Sequence, residues 1–124
     1  MPKLVVMLRV KDGIDFVADW LKCFEKIADE IVEHLPAKVY ISFDIDGLDP
    51  KLCPNTGTPV QGGFETEQIF YLFKKVLQSG RQFVGFDLSE VGISTTEWDE
   101  NVGARVLFKL CNLMVAENSF DAKV

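Results

Sequence analysis

The sequence predicts an α/β fold, a parallel sheet with helices layered on both faces in an α-β-α arrangement, and three observations carry that prediction. Short β-branched, apolar runs alternate with longer segments of three- and four-residue apolar spacing, the order of strands joined by crossover helices. Two breaker-rich loops each follow a strand, so both leave the sheet at its carboxyl edge, where ligands bind in such sheets. Composition fits a folded domain, with 48% hydrophobic and 26% charged residues. A chain of 124 residues buries roughly two-thirds of the surface it exposes when unfolded, enough for one core. A single domain over residues 1–124 is expected.

The elements follow in order. Residues 4–10 form an apolar run that reads as a strand and ends at the turn-forming Lys11, Asp12 and Gly13. From residue 14 to 35, Phe16, Trp20, Leu21, Phe24, Ile27, Ala28, Ile31 and Leu35 recur on one helical face, and Pro36 stops the helix. Residues 39–43 are short, β-branched and aromatic, as a strand requires. Residues 44–64 contain Gly47, Pro50, Pro54, Gly57, Pro59, Gly62 and Gly63, too many breakers for regular structure. A loop of that length in a small domain points to a function. Residues 65–79 form a helix that ends at Gly80, residues 83–88 a strand, and residues 101–117 a helix with Val102, Val106, Leu107, Leu110, Leu113 and Met114 on its apolar face. The last residues, 118–124, are expected to fray.

Charge and cysteine content narrow the function. A formal charge of −6 disfavours a nucleic-acid partner, which needs clustered Lys and Arg. Cys23, Cys53 and Cys111 make no CxxC pair, so neither a disulfide framework nor a zinc ribbon is indicated, and a reducing, cytoplasmic setting is expected. Cys23 and Cys111 are expected to be buried thiols within helices, whereas Cys53, in a loop, is expected to be more exposed. The amino-terminal apolar run is too short to span a bilayer and no export signal follows it, so no membrane partner is expected.

The chemistry concentrates in SFDIDGLDP, residues 42–50. Side chains alternate along a strand, so Asp44 and Asp46 are aimed to one side at its end while Phe43 and Ile45 point to the other. Two carboxylates brought together repel unless a proton or cation lies between them, and a hard divalent ion takes oxygen ligands. Asp and Gly also dominate ordinary turns, which is the plainer explanation of the same letters. A calcium loop does not fit, because Gly47 comes too early and residues 51–56 hold no acid. An apolar strand ending in DxDG also opens the haloacid dehalogenase-like phosphotransferases, where the first aspartate is the nucleophile, although only Asp87 and Glu90 could loosely supply that family's later acids.

The longer string SFDIDGLDPKLCPNTGTPVQGGF, residues 42–64, resembles the signature of the ureohydrolase superfamily of arginases, agmatinases and formimidoylglutamases. FDLSEVG (residues 86–92) is similar to the family's later strand, and Trp98, Asp99 and the helix after them to its closing helix. The resemblance runs from about Lys38 to Leu113. It implies an arginase-like three-layer α-β-α fold, present here as an incomplete, carboxyl-terminal portion. It also implies hydrolysis of a linear C–N bond in a small guanidino or formimino substrate, with a manganese pair (Mn2+) held in part by Asp44 and Asp46. Glu90 matches the acid that pairs with the cationic nitrogen of the substrate, and Thr58 a position lining the pocket. The segment EWDENVGARVLFKLCNL, residues 97–113, looks more like formimidoylglutamases or divergent bacterial members than animal arginases.

The histidine-bearing motifs of such enzymes have no counterpart here. His34, the sole histidine, falls near a helix end where a solvated or capping role is expected. The isolated chain is therefore expected to bind manganese weakly and not to turn over. A non-catalytic assembly module of the same fold is the alternative. The open sheet edge of a partial fold favours self-association, so a homo-oligomer is expected. Among the remaining polar residues, Glu65 and Glu67 suit the dipole at a helix start. Lys74, Lys75, Arg105 and Lys109 are expected on solvated faces, Asp87 in hydrogen bonds within the loops, and Trp98 and Asp99 anchoring the second loop and capping the last helix.

Overall fold

The computed structural model describes residues 20–120. Its elements are helix α1 (Trp20–His34), strand β1 (Lys38–Asp44), a 3-10 turn (Ile45–Gly47), helix α2 (Thr66–Gln78), strand β2 (Gln82–Ser89) and helix α3 (Trp98–Phe120). The strand expected over residues 4–10 and the start of the first helix lie outside the described residues. Within them, each expected helix and strand is present, with boundaries shifted by a few residues.

Helix α1 presents Phe24, Ala28 and Val32 to the core at four-residue intervals, with Leu35 buried just beyond its end. Ile27, expected on that face, is 36% exposed because it sits at the stripe's flank. Helix α2 begins with a capping box in which Glu65 and Gln68 each accept from the other's backbone, and it ends before Gly80 at φ 81°. Lys75 of α2, expected to be solvated, instead pairs with Asp29 of α1 at 2.7 Å and joins the two helices. Leu72 and Val76 face inward.

Strands β1 and β2 pair in parallel, Tyr40 with Gly85, Ser42 with Asp87 and Asp44 with Ser89, after an irregularity between Val39 and Tyr40. Because partners share a face, Ile41, Phe43, Phe86 and Leu88 form one side, and Tyr40, Ser42, Asp44, Gly85 and Asp87 the other. The helices cover the first side. The Phe73 ring of α2 meets Phe43 at 6.4 Å and Phe83 at 5.8 Å edge-on, a favoured aromatic geometry. Burying each such side chain contributes about 1.5–3 kcal/mol. Lys109 of α3 lies 4.9 Å over the Phe70 ring of α2, which ties α3 to the same helical layer.

The described residues thus comprise a parallel sheet and one helical layer of an α/β arrangement. Tyr40, at 44% exposed, lies on the side those helices leave open. Helix α3 buries Val102, Val106 and Leu110. Leu107, expected with them, is 44% exposed, since the inward stripe is narrower than the run of apolar letters. Cys111, expected to be buried, is exposed for the same reason: it lies one residue, about 100° of helix, past Leu110. No helix among the described residues is long and apolar enough to cross a membrane.

Candidate metal and substrate site

The site lies where β1 and β2 run out, and its backbone departs from the extended strand that the sequence predicts through Asp46. The strand stops at Asp44, which caps the 3-10 turn by accepting the Asp46 N–H at 3.1 Å. Asp46 is therefore brought beside Asp44 by a tight turn rather than by strand alternation. The intervening Ile45 is fully buried and pins the turn to the core. Crowding by the protein raises the Asp44 carboxyl above its ordinary range, although the residue is accessible. The Asp46 N–H opposes the rise, and the nearby Asp46 and Glu90 carboxylates add to it.

Thr58 and Glu90 reach this corner from the two long loops. The Thr58 hydroxyl donates to Asp46 Oδ2 at 2.6 Å, so it fixes the orientation of one carboxylate. Glu90 adopts φ 61°, a left-handed backbone uncommon for a residue with a side chain. Its carboxylate stands 3.4 Å from where a Cβ on Gly57 would lie. The four residues singled out by sequence are thus gathered at one corner of the sheet.

The first loop is far from structureless. Phe64 N–H donates to Gly47 O at 2.9 Å and Asp49 N–H to Phe64 O at 3.0 Å, closing residues 47–64 on themselves. Gly63 is required there, because a Cβ would lie 2.4 Å from Leu48 backbone atoms. Cys53, expected to be more exposed than the other cysteines, is fully buried, and its thiol donates to Ile45 O at 3.2 Å. Burial, with Asp99 and the site carboxylates adding, pushes that thiol up to about 11. Loop composition hid this, because a turn that folds back on itself makes its own interior.

Other placements differ from expectation. The Asp87 carboxylate accepts Ser42 Oγ at 3.0 Å across the open sheet face, not within a loop. Asp99 is fully buried inside the first turn of α3 and accepts both Asn55 N–H and Asn55 Nδ2 at 2.9 Å. Trp98 Nε1 donates to Lys51 O at 3.1 Å. Both residues therefore anchor the first loop rather than the second. Thr56, buried at 5% exposure, donates to Glu90 O at 2.8 Å and joins the two loops. The letters NTG before Thr58 were the available signal for this brace. His34 is exposed at the end of α1, with Nδ1 2.7 Å from Glu30 O. It precedes β1, so the length of that strand, about 20 Å, separates it from Asp44.

By ligand type and charge, Asp44 and Asp46 suit a hard divalent cation, which would relieve their mutual repulsion. They are a partial set: among the described residues no group of three or more His, Cys, Asp or Glu side chains is arranged to hold a metal.

Comparison with known proteins places this geometry. The Arginase family model matches residues 18–112. Putative agmatinase 3 of Schizosaccharomyces pombe is 38% identical over 116 residues, which cover 91% of this chain and 26% of that protein. The guanidinobutyrase of Pseudomonas aeruginosa is 37% identical over 94 residues, covering 73% of this chain and 29% of that protein. The crystal structure of a hypothetical agmatinase from Burkholderia thailandensis superposes with a TM-score of 0.62 at 28% identity, over 82% of this chain and 33% of that one. The chain spans about a quarter of the length of the curated relatives it matches. The residues that the family model matches span the DxDG turn, the TGTP loop and Glu90 just past β2, and with that model matching most of its length the chain belongs to the arginase family.

Proposed function

We propose that this chain supplies one side of the active site of a manganese-dependent hydrolase that cleaves a linear C–N bond in a small guanidino substrate. The observation that carries the reading is the corner itself: Asp44 capped by the Asp46 N–H, Asp46 held by Thr58 at 2.6 Å, and the Glu90 carboxylate close enough to raise Asp44. Asp44 and Asp46 would hold the metal. When bound, it supplies Lewis-acid activation of water toward a planar carbon. Glu90 provides a carboxylate opposite a guanidinium, a pairing suited to two parallel N–H···O bonds. Thr58 keeps Asp46 from rotating away, so the acceptor is oriented before the cation arrives.

The substrate class rests on chemistry and on relatives. A cluster of carboxylates at the rim favours a cation, and the relatives are named for agmatine and guanidinobutyrate, both guanidino compounds. Guanidino substrates therefore rank ahead of formimino ones. A cytoplasmic homo-oligomer remains the proposed setting.

The 124 residues contain no histidine near this corner, so the chain alone is proposed to bind manganese weakly and to release no product. Purified chain should give no urea from agmatine, arginine or 4-guanidinobutyrate, and no formamide from formiminoglutamate, at millimolar manganese. Metal-dependent release that Asp44→Asn abolishes would overturn the proposed incompleteness while supporting the site. A non-catalytic module of the same fold is favoured by one observation, the lack of three clustered ligands among the described residues. That reading predicts no manganese binding at Asp44 and Asp46 at any concentration tested.

A further inference from the structure

The four site residues lie on two loops and a turn that are not adjacent in sequence, so something must fix them relative to one another. Two buried polar contacts do so. Asp99, in the first turn of α3, has no exposed surface, and its two oxygens accept the N–H and the side-chain amide of Asn55, both at 2.9 Å. A buried carboxylate with both oxygens engaged holds its partner rigidly, because losing either bond strands a desolvated acceptor. Asn55 begins the segment Asn55, Thr56, Gly57, Thr58, and the last of these orients Asp46. Next to Asn55, buried Thr56 donates to Glu90 O at 2.8 Å. The loops also touch through backbone, since a Cβ on Gly92 would lie 2.0 Å from Asn55 O.

We infer that Asp99 and Thr56 are positioning residues that form a clasp between the loops: Asp99 fixes the segment that carries Thr58 to Asp46, and Thr56 fixes the backbone of Glu90 in its left-handed conformation. Helix α3 thereby sets the spacing between the metal-facing and substrate-facing acids. The metal and substrate roles rest on the function proposed above; the clasp itself does not.

The geometry offers a direct test by exchange. In Asp99→Asn the charge is lost and one acceptor becomes a donor, which Asn55 can meet only by turning its side-chain amide over. The combined Asn55→Asp, Asp99→Asn variant reverses the polarity of the side-chain pair and keeps one oxygen for the residue-55 N–H. The carboxylate carbon resonance of Asp46 and the amide resonances of Thr58 and Glu90 are recorded for the metal-free chain, with those of residues 38–43 as control. Asp99→Asn should shift or broaden all three site resonances and leave the control strand in place, and the double exchange should restore them. Thr56→Val, which keeps shape and removes one bond, should move Glu90 and spare Asp46.

Manganese affinity, read by electron paramagnetic resonance, should fall by about tenfold in Asp99→Asn, the effect of losing roughly one hydrogen bond's worth of order, and recover in the double variant. Unmoved site resonances in a folded Asp99→Asn chain would overturn the clasp, as would failure of the double exchange to restore them. Should Asp99→Asn not fold, an unmoved Glu90 in Thr56→Val overturns it equally. If the wild-type chain binds no manganese but the resonances respond as stated, the clasp stands and the metal function fails.

Discussion

The helix-covered face of the sheet and its carboxyl edge are built by opposite rules. On the face, Ile41, Phe43, Phe83, Leu72 and Val76 are apolar and buried, and each contact stabilises the fold without any partner. At the edge, Asp44, Asp46 and Glu90 crowd like charges at an accessible corner, held by a capped turn, a threonine hydroxyl and a left-handed residue. Such an arrangement costs stability unless a cation offsets the repulsion. The difference teaches where to seek function in a small fold: at the point where its local rules conflict. Between the two regions lies the buried polar layer of Asp99, Thr56 and Cys53, which uses the core's rigidity to aim the edge.

The largest effect should come from the face. Phe43→Ala removes a ring that packs on Phe73 and should destabilise the chain by about 3–5 kcal/mol in a denaturant melt. A loss under ~1 kcal/mol would mean that this face is not the core. An intermediate effect should come from the buried layer. The Cys53 thiol titrates near 11 when folded and at its ordinary, lower value when unfolded, so between these values the folded chain holds a proton that the unfolded chain has released. Stability should therefore fall as pH rises from about 9 to about 11, by roughly 3 kcal/mol at most, each unit of pKa being worth about 1.4 kcal/mol. Iodoacetamide at pH 8 should label Cys111 readily and Cys53 only on unfolding. Equal labelling of both in the folded chain would erase the distinction between layer and surface.

The covered face was readable in advance because its signal is local: four-residue apolar spacing marks α1 and α2, and β-branched runs mark the strands. The edge was readable through its letters, since Asp44, Asp46, Thr58 and Glu90 belong to a string specific enough to name a family. What the letters left out is how the chain closes. Alternation along a strand predicted one side for Asp44 and Asp46, and a 3-10 turn achieves their proximity instead. Cys53 and Cys111 exchanged their expected exposures because burial depends on which way a loop folds back and on a single 100° step around a helix. Asp99 looked like a helix cap, yet its partner is Asn55, 44 residues earlier. Contacts at such separation leave no periodicity in a sequence.

The smallest stability effect and the most direct test belong to one experiment on the edge. Manganese is titrated into the wild-type chain and Asp44→Asn, with free and bound ion distinguished by electron paramagnetic resonance and stability measured alongside. Asn at position 44 can still accept the Asp46 N–H, so the turn should persist. Without metal the variant should be unchanged or more stable by at most about 0.5 kcal/mol, because solvent screens accessible carboxylates. The predicted result is weak, saturable manganese binding to the wild-type chain that Asp44→Asn abolishes without loss of fold. Binding of equal strength by both proteins, or by neither, would contradict the assignment of Asp44 and Asp46 as the metal-holding pair.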